Sequence, residues 1–133
     1  AAEQQGKHGF GQASDQIAFA PEAQLTATID NWSPYYIRKV GGVIDGTWKS
    51  EDYFGHMNEG VVMMAPFTNM PDDVRTKAAD IMQQISDGNY FAFTGPIKDQ
   101  NGEIRIPEGH VATDVELNTM DYYVEGITAR FPS

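Results

Sequence analysis

The 133 residues include no cysteine, which removes disulfides, thiolate metal sites and cysteine nucleophiles together while leaving the redox compartment open. Positive charge is scarce: 9 Lys and Arg stand against 19 Asp and Glu, for a formal net charge of -10. No basic cluster exceeds Arg38-Lys39, so phosphate backbones and anionic lipid surfaces are repelled, and no nucleic-acid or membrane-surface partner is expected. The longest apolar run, Val61 to Phe67, falls far short of the roughly 18 residues that span a bilayer. Also missing are a Gly-x-Ser-x-Gly elbow, a phosphate-cradling Gly-x-x-x-x-Gly-Lys loop and a Gly-x-Gly-x-x-Gly fingerprint; Gly9-Phe10-Gly11 is only a fragment of the last. His8, His56 and His110 are scattered, and the pair His56 and Glu59 supplies too few ligands for a metal. Neither a cofactor nor a metal is therefore expected.

What remains is an ordinary globular composition, 41% hydrophobic and 21% charged, on a length that suits one domain. Ala1 to Gln5 followed by Gly6 reads as the last turn of a helix with its C′ glycine, and gives the expectation of a piece of a longer polypeptide. Lys7 to Gly11 reads as a strand running into the polar loop Gln12 to Gln16. Leu25 to Ile29, rich in β-branched residues, reads as a second strand that stops at Asp30-Asn31. Ser33-Pro34 predicts a helix start, with Ser33 as N-cap and Pro34 at N1. Tyr36, Ile37, Val40, Val43 and Ile44 supply its apolar face and Gly46 its C′ residue.

After a loop from Trp48 to Gly60, Val61 to Ala65 reads as a short strand buried on both faces, the kind found in parallel sheets covered by helices. Pro71-Asp72-Asp73 opens a second helix with Val74, Ala78, Ile81, Met82 and Ile85 on one face and Gly88 as its stop. Asn101-Gly102 between Ile97 to Gln100 and Glu103 to Ile106 predicts a β-hairpin. That hairpin accounts for Asp99, Asn101 and Glu103 better than a calcium loop does, because the glycine falls at the fourth position rather than the sixth. Thr113 with Glu116 forms a capping box ahead of a last short helix. Strands alternating with helices place the chain in the α/β class.

In open α/β sheets ligands sit beyond the carboxyl ends of the strands. That rule selects Gln12, Ser14 and Asp15 after the first strand, and Asp30, Asn31 and Trp32 after the second. A carboxylate to accept from an amino group, an amide that gives and takes, and an indole to stack suit a neutral heteroaromatic such as a nucleobase. The same residues also read as plain structure: an Asx turn at Asp30-Asn31 and a hydrophobic staple at Trp32. Trp48 with Tyr53 and Phe54 forms a second aromatic patch. Carboxylate pairs such as Glu51-Asp52 and Asp72-Asp73 are explained by solvation and by a helix N-terminus, and no catalytic residue is assigned.

Six segments, read in order, resemble the basic membrane protein family of substrate-binding lipoproteins of ABC importers. They are Gly11-Gln12-Ala13-Ser14-Asp15-Gln16, Ala20-Pro21, Leu25-Thr26-Ala27, Asp45-Gly46-Thr47-Trp48, Phe93-Thr94-Gly95-Pro96-Ile97 and Tyr123-Val124-Glu125-Gly126. The resemblance implies part of a type I periplasmic-binding-protein fold, a Rossmann-like lobe of parallel sheet flanked by helices with a C-terminal β-hairpin. Residues 1-133 would form most of the second lobe, with 48-66 and 95-110 as returning or hinge segments; the first lobe and a lipidated anchor would lie upstream. It further implies a purine base or nucleoside as ligand, an ABC permease as partner, a periplasmic or cell-surface location, and self-association of the isolated fragment. The family's Gly-Val-Asp-Ser-Asp-Gln loop matches at Gly11, Ser14, Asp15 and Gln16, with Ala13 in place of its first aspartate. Asp30 stands where nucleoside binders carry a lysine. These departures point to a bare base, adenine foremost, with Asp30 receiving its amino group and Trp32 or Trp48 stacking on it. Open alternatives are a structural lobe unable to bind alone and, less favoured, a nucleobase-processing enzyme.

Overall fold

The computed structural model describes residues 1–129 and divides into two compact units, residues 1–90 and residues 91 onward. In the first, strand β1 (Gly9–Gly11) pairs parallel with β2 (Gln24–Asp30), and β2 pairs antiparallel with β3 (Val62–Met64), giving the sheet order β1-β2-β3. The sheet is mixed, where the sequence predicts a parallel one. β3 is also not buried on both faces: Val61 and Ala65 at its ends are buried, but Met63 is exposed. An antiparallel edge strand needs cover on one side only, and Met63 lies opposite Ile29 in that pairing.

Helix α1 (Ser33–Ile44) follows β2, and α2 (Asp72–Ser86) follows β3. Ser33 is the first helical residue rather than the cap. Its N–H donates to Asn31 Oδ1 at 3.3 Å, so the side-chain oxygen at the helix start comes from two residues earlier. Pro34 sits in the first turn as expected, and Gly46 and Gly88 take left-handed φ values of 70° and 71° just past the two helices.

The core of this unit is built from small and polar side chains. Ala23, Gln24, Thr26, Ala27, Val61 and Ala65 are buried, and Thr26 donates its hydroxyl to Ala65 O at 2.7 Å across the sheet. The predicted apolar face of α1 is not buried in the chain. Tyr36, Ile37, Val40, Val43 and Ile44 are between 57% and 79% exposed. What α1 does cover is the opposite side, where Tyr35, Lys39 and Gly42 meet the segment that returns from Thr47 to Glu59.

In the second unit β4 (Ile97–Lys98) and β5 (Ile104–Ile106) form the antiparallel hairpin that Asn101-Gly102 predicts. Buried Asp99 closes its turn by accepting from the N–H groups of Asn101 (2.8 Å) and Glu103 (3.1 Å), with Arg105 at 3.5 Å. Burial pushes this carboxyl up, and those donors together outweigh it and hold the group below the ordinary aspartate value. Helix α3 (Asp114–Asn118) starts with the predicted capping box: Thr113 Oγ1 accepts from Glu116 N, and the Glu116 carboxylate accepts from Thr113 N at 2.7 Å.

Two tests follow. A Cβ on Gly11 would lie 2.7 Å from Ala27 Cβ and 3.0 Å from Gln24 Oε1, neither of which has room to yield. Gly11→Ala should lower the urea midpoint of the first unit by the equivalent of about 1–3 kcal/mol, the usual cost of overpacking. Glu116, held by Thr113 N–H, His110 and the Thr113 hydroxyl, is drawn from 4.5 down to about 2. A depressed acid stabilises above its unfolded value and loses that contribution as pH falls, so the α3 cap should melt out between pH 4.5 and about 2. NMR shifts of Thr113 and Glu116 would follow this loss, and Glu116→Gln should abolish its pH dependence.

Candidate functional site

The loop after β1 and the loop after β2 meet at one end of the sheet. Asp30 N–H donates to Ala13 O at 3.1 Å, which ties the second loop to the first. The first is fixed from below by Gln24, a side chain only 4% exposed at the start of β2. Its amide nitrogen donates to Asp15 Oδ1 at 2.8 Å, and its amide oxygen accepts from Gln16 N at 3.1 Å. Asp15 Oδ1 also accepts from Ile17 N at 3.0 Å, closing an Asx turn. The Gln24 and Ile17 donors together lower the Asp15 pKa below its ordinary value. Within this loop Ala13 adopts φ 65°, a left-handed conformation rare for a residue with a Cβ.

Asn31 is spent on structure in the same way. Its backbone N–H reaches Val61 O at 2.7 Å, its amide nitrogen reaches Gly60 O at 2.9 Å, and its side-chain oxygen caps Ser33. The Asx-turn reading thus describes Asn31 well. Trp32 occupies the cap position itself and meets Tyr35 edge-on at 5.8 Å, a contact within the first turn rather than the predicted staple, which joins the residue before the cap to the fourth helical one.

The residues left over define what this end of the sheet offers. Among the described residues, the side chain of Gln12, the hydroxyl of Ser14, the carboxylate of Asp30 and the indole N–H of Trp32 make no hydrogen bond or ion pair, and all four residues are exposed. They combine an amide, a hydroxyl, an anionic acceptor and an aromatic face 47% exposed, a set suited to a planar ring bearing both donors and acceptors.

Trp48 belongs elsewhere. Its backbone N–H donates to Gly42 O at 2.9 Å near the far end of α1, so ten residues of helix, about 15 Å, separate it from Trp32. There it lines a cleft with Arg38, Lys39, Thr47, Lys49 and Glu51. No single base stacks on both indoles.

The support behind Trp32 joins two segments that no spacing rule connects. Tyr35 stacks on Tyr53 at 4.9 Å, Arg38 lies 4.7 Å over the Tyr53 ring, and the Tyr53 hydroxyl donates to Glu59 at 3.0 Å. Of the predicted patch of Trp48, Tyr53 and Phe54, Tyr53 is thus the far wall of the Trp32 cluster, while Trp48 lies at the other end of α1. The only available signal was the density of aromatics on both sides of α1.

The geometry defines a small mixed α/β unit with an open polar-aromatic rim beyond the ends of β1 and β2. No protein-family model matches the chain. A purine-binding protein of Brucella abortus (strain 2308) is 49% identical over 131 residues, which cover 98% of this chain and 37% of that protein. The chain thus spans well under half the length of this relative. In fold it is similar to part of a solved structure, a transcriptional activator of the comK gene from Bacillus halodurans. That match has a TM-score of 0.57 over 68% of this chain and 32% of the other, at 23% identity, and bears on fold alone.

Replacing Gln24 by Leu keeps its bulk and removes both of its bonds to the loop. Asp15 and Gln16 are exposed enough for water to take over, so the cost should be about 0.5–1.5 kcal/mol in chemical denaturation. The sharper readout is local: amide exchange at Gln16 should accelerate, and the Asp15 pKa, followed by NMR, should rise toward its ordinary value.

Proposed function

We propose that this chain is part of a solute-binding protein that captures a purine base, adenine foremost, by contact alone and delivers it to an ABC permease. The observation that carries this reading is the 49% identity, along nearly the whole chain, to a protein named for purine binding. The unspent groups of the rim support it: the Asp30 carboxylate accepts from the exocyclic amino group, Trp32 stacks, and Gln12 and Ser14 reach the ring edge. Ala13 and Asp30, standing where the resembling family carries an aspartate and a lysine, favour a base over a nucleoside. A name that speaks of binding favours capture over catalysis. The resemblance to the basic membrane protein family adds the type I periplasmic-binding fold, in which two lobes close on the ligand. It also adds a lipid-anchored location outside the cytoplasm, and hinge roles for residues 48–66 and 95–110.

A second reading has its own support. The rim is open to solvent and the chain spans 37% of the relative, so this unit would supply one wall of a pocket. One wall buries too little of a base to hold it tightly.

Calorimetric titration of the 133-residue chain, and of a full-length parent, with adenine and with adenosine tests both. Adenine binding to the parent and not to the chain is expected. In the parent, Asp30→Ala and Trp32→Ala should each weaken adenine by about 1–3 kcal/mol, while Trp48→Ala leaves it unchanged. Preference for adenosine would reverse the base-over-nucleoside assignment. Unchanged affinity in both rim variants would move the site elsewhere.

A further inference from the structure

The proposed rim leaves the uncovered stripe of α1 unassigned. Tyr36, Ile37, Val40, Val43 and Ile44 fall within one third of the helix circumference and are 57% or more exposed, while the side chain of Lys39, about 100° around the helix from the centre of that stripe, is 16% exposed. The helix therefore presents its apolar face outward, the reverse of a finished surface helix. A second observation agrees. β1 lies at the edge of the sheet with a parallel partner on one side only, and its Phe10 is 75% exposed, whereas parallel pairs normally sit covered on both faces. Within this unit the largest fully buried side chain is Thr26, so the large apolar residues have no shared core among the described residues.

We propose that the α1 stripe is an assembly seam, occupied by an α/β segment corresponding to the part of the Brucella abortus relative that has no counterpart in this chain. The proposal rests on the reading of this chain as part of a longer protein. The relative aligns with 98% of the chain over only 37% of its own length, so most of that protein is available to cover the face. A second copy of this chain fits less well. Each copy brings a formal charge of -10, so pairing two identical faces sets like charge against like charge.

Co-expression tests it. The 133-residue chain is produced with a separate polypeptide comprising the portion of the Brucella abortus protein outside the aligned 131 residues. A 1:1 complex in gel filtration and ultracentrifugation is expected without any ligand. Val40→Asp and Ile44→Asp should each weaken it at least tenfold, whereas Lys77→Asp on α2 should not. Because both seam positions are solvent-exposed, the variants should retain wild-type circular dichroism, which separates lost assembly from lost folding. Overturning results are a partner segment that stays uncomplexed or insoluble beside the wild-type chain, a complex that either seam variant leaves intact, or a stripe that pairs only with a second copy while the segment is present. Adenine titration of the same samples keeps the two ideas apart. A complex that ignores adenine refutes the purine assignment and keeps the seam; adenine binding by the chain with no complex does the reverse.

Discussion

Everything at the candidate site hangs on one buried amide. Gln24 is taken out of water at the start of β2, and a buried primary amide is tolerable only if its donor and acceptor are both answered. They are answered by Asp15 and Gln16, so the desolvation of Gln24 on the strand fixes the conformation of the loop after its neighbour. Gly11 makes this possible, because any side chain there would occupy the space that Ala27 and the Gln24 oxygen already fill. From the pinned loop the constraint passes through Ala13 O to Asp30 N, then through Asn31 to Gly60 and Val61. Two loops and the entry to β3 thus share one hydrogen-bonded seat.

This division of labour separates residues that look alike in the sequence. Asp15 and Asp30 are both aspartates just past a strand, yet Asp15 closes a turn and Asp30 carries no bond on its carboxylate among the described residues. Asn31 resembles a ligand-reading amide and is consumed by three structural bonds. Sequence spacing locates such groups; only the fate of each hydrogen bond tells which are left to meet a ligand.

The same limit explains what was legible and what was not. The α1 and α2 spans, the Asn-Gly hairpin and the Thr113–Glu116 cap follow from local chemistry, a few residues apart, and the structure has them. Burial is not local. The periodicity of Tyr36 to Ile44 states that these residues share a face, but not that the chain holds anything to put against it. The run Val61 to Ala65 likewise carries apolar content without direction, and the antiparallel pairing with β2 leaves Met63 outward. The helix starts at Ser33 with Trp32 at the cap position, and the Ser33 N–H is answered by Asn31, whose side chain also donates to Gly60 O, a link of segments that local spacing does not encode. The Tyr35–Tyr53 stack joins residues from two segments, a pairing that no spacing rule encodes.

Ala13 carries a consequence of its own. Its left-handed φ of 65° is a conformation that asparagine and aspartate adopt more readily than alanine does. An aspartate or asparagine at position 13 would hold this turn at lower conformational cost than the alanine present. The turn therefore holds a small store of backbone strain next to the rim, which an exchange at position 13 alone would release.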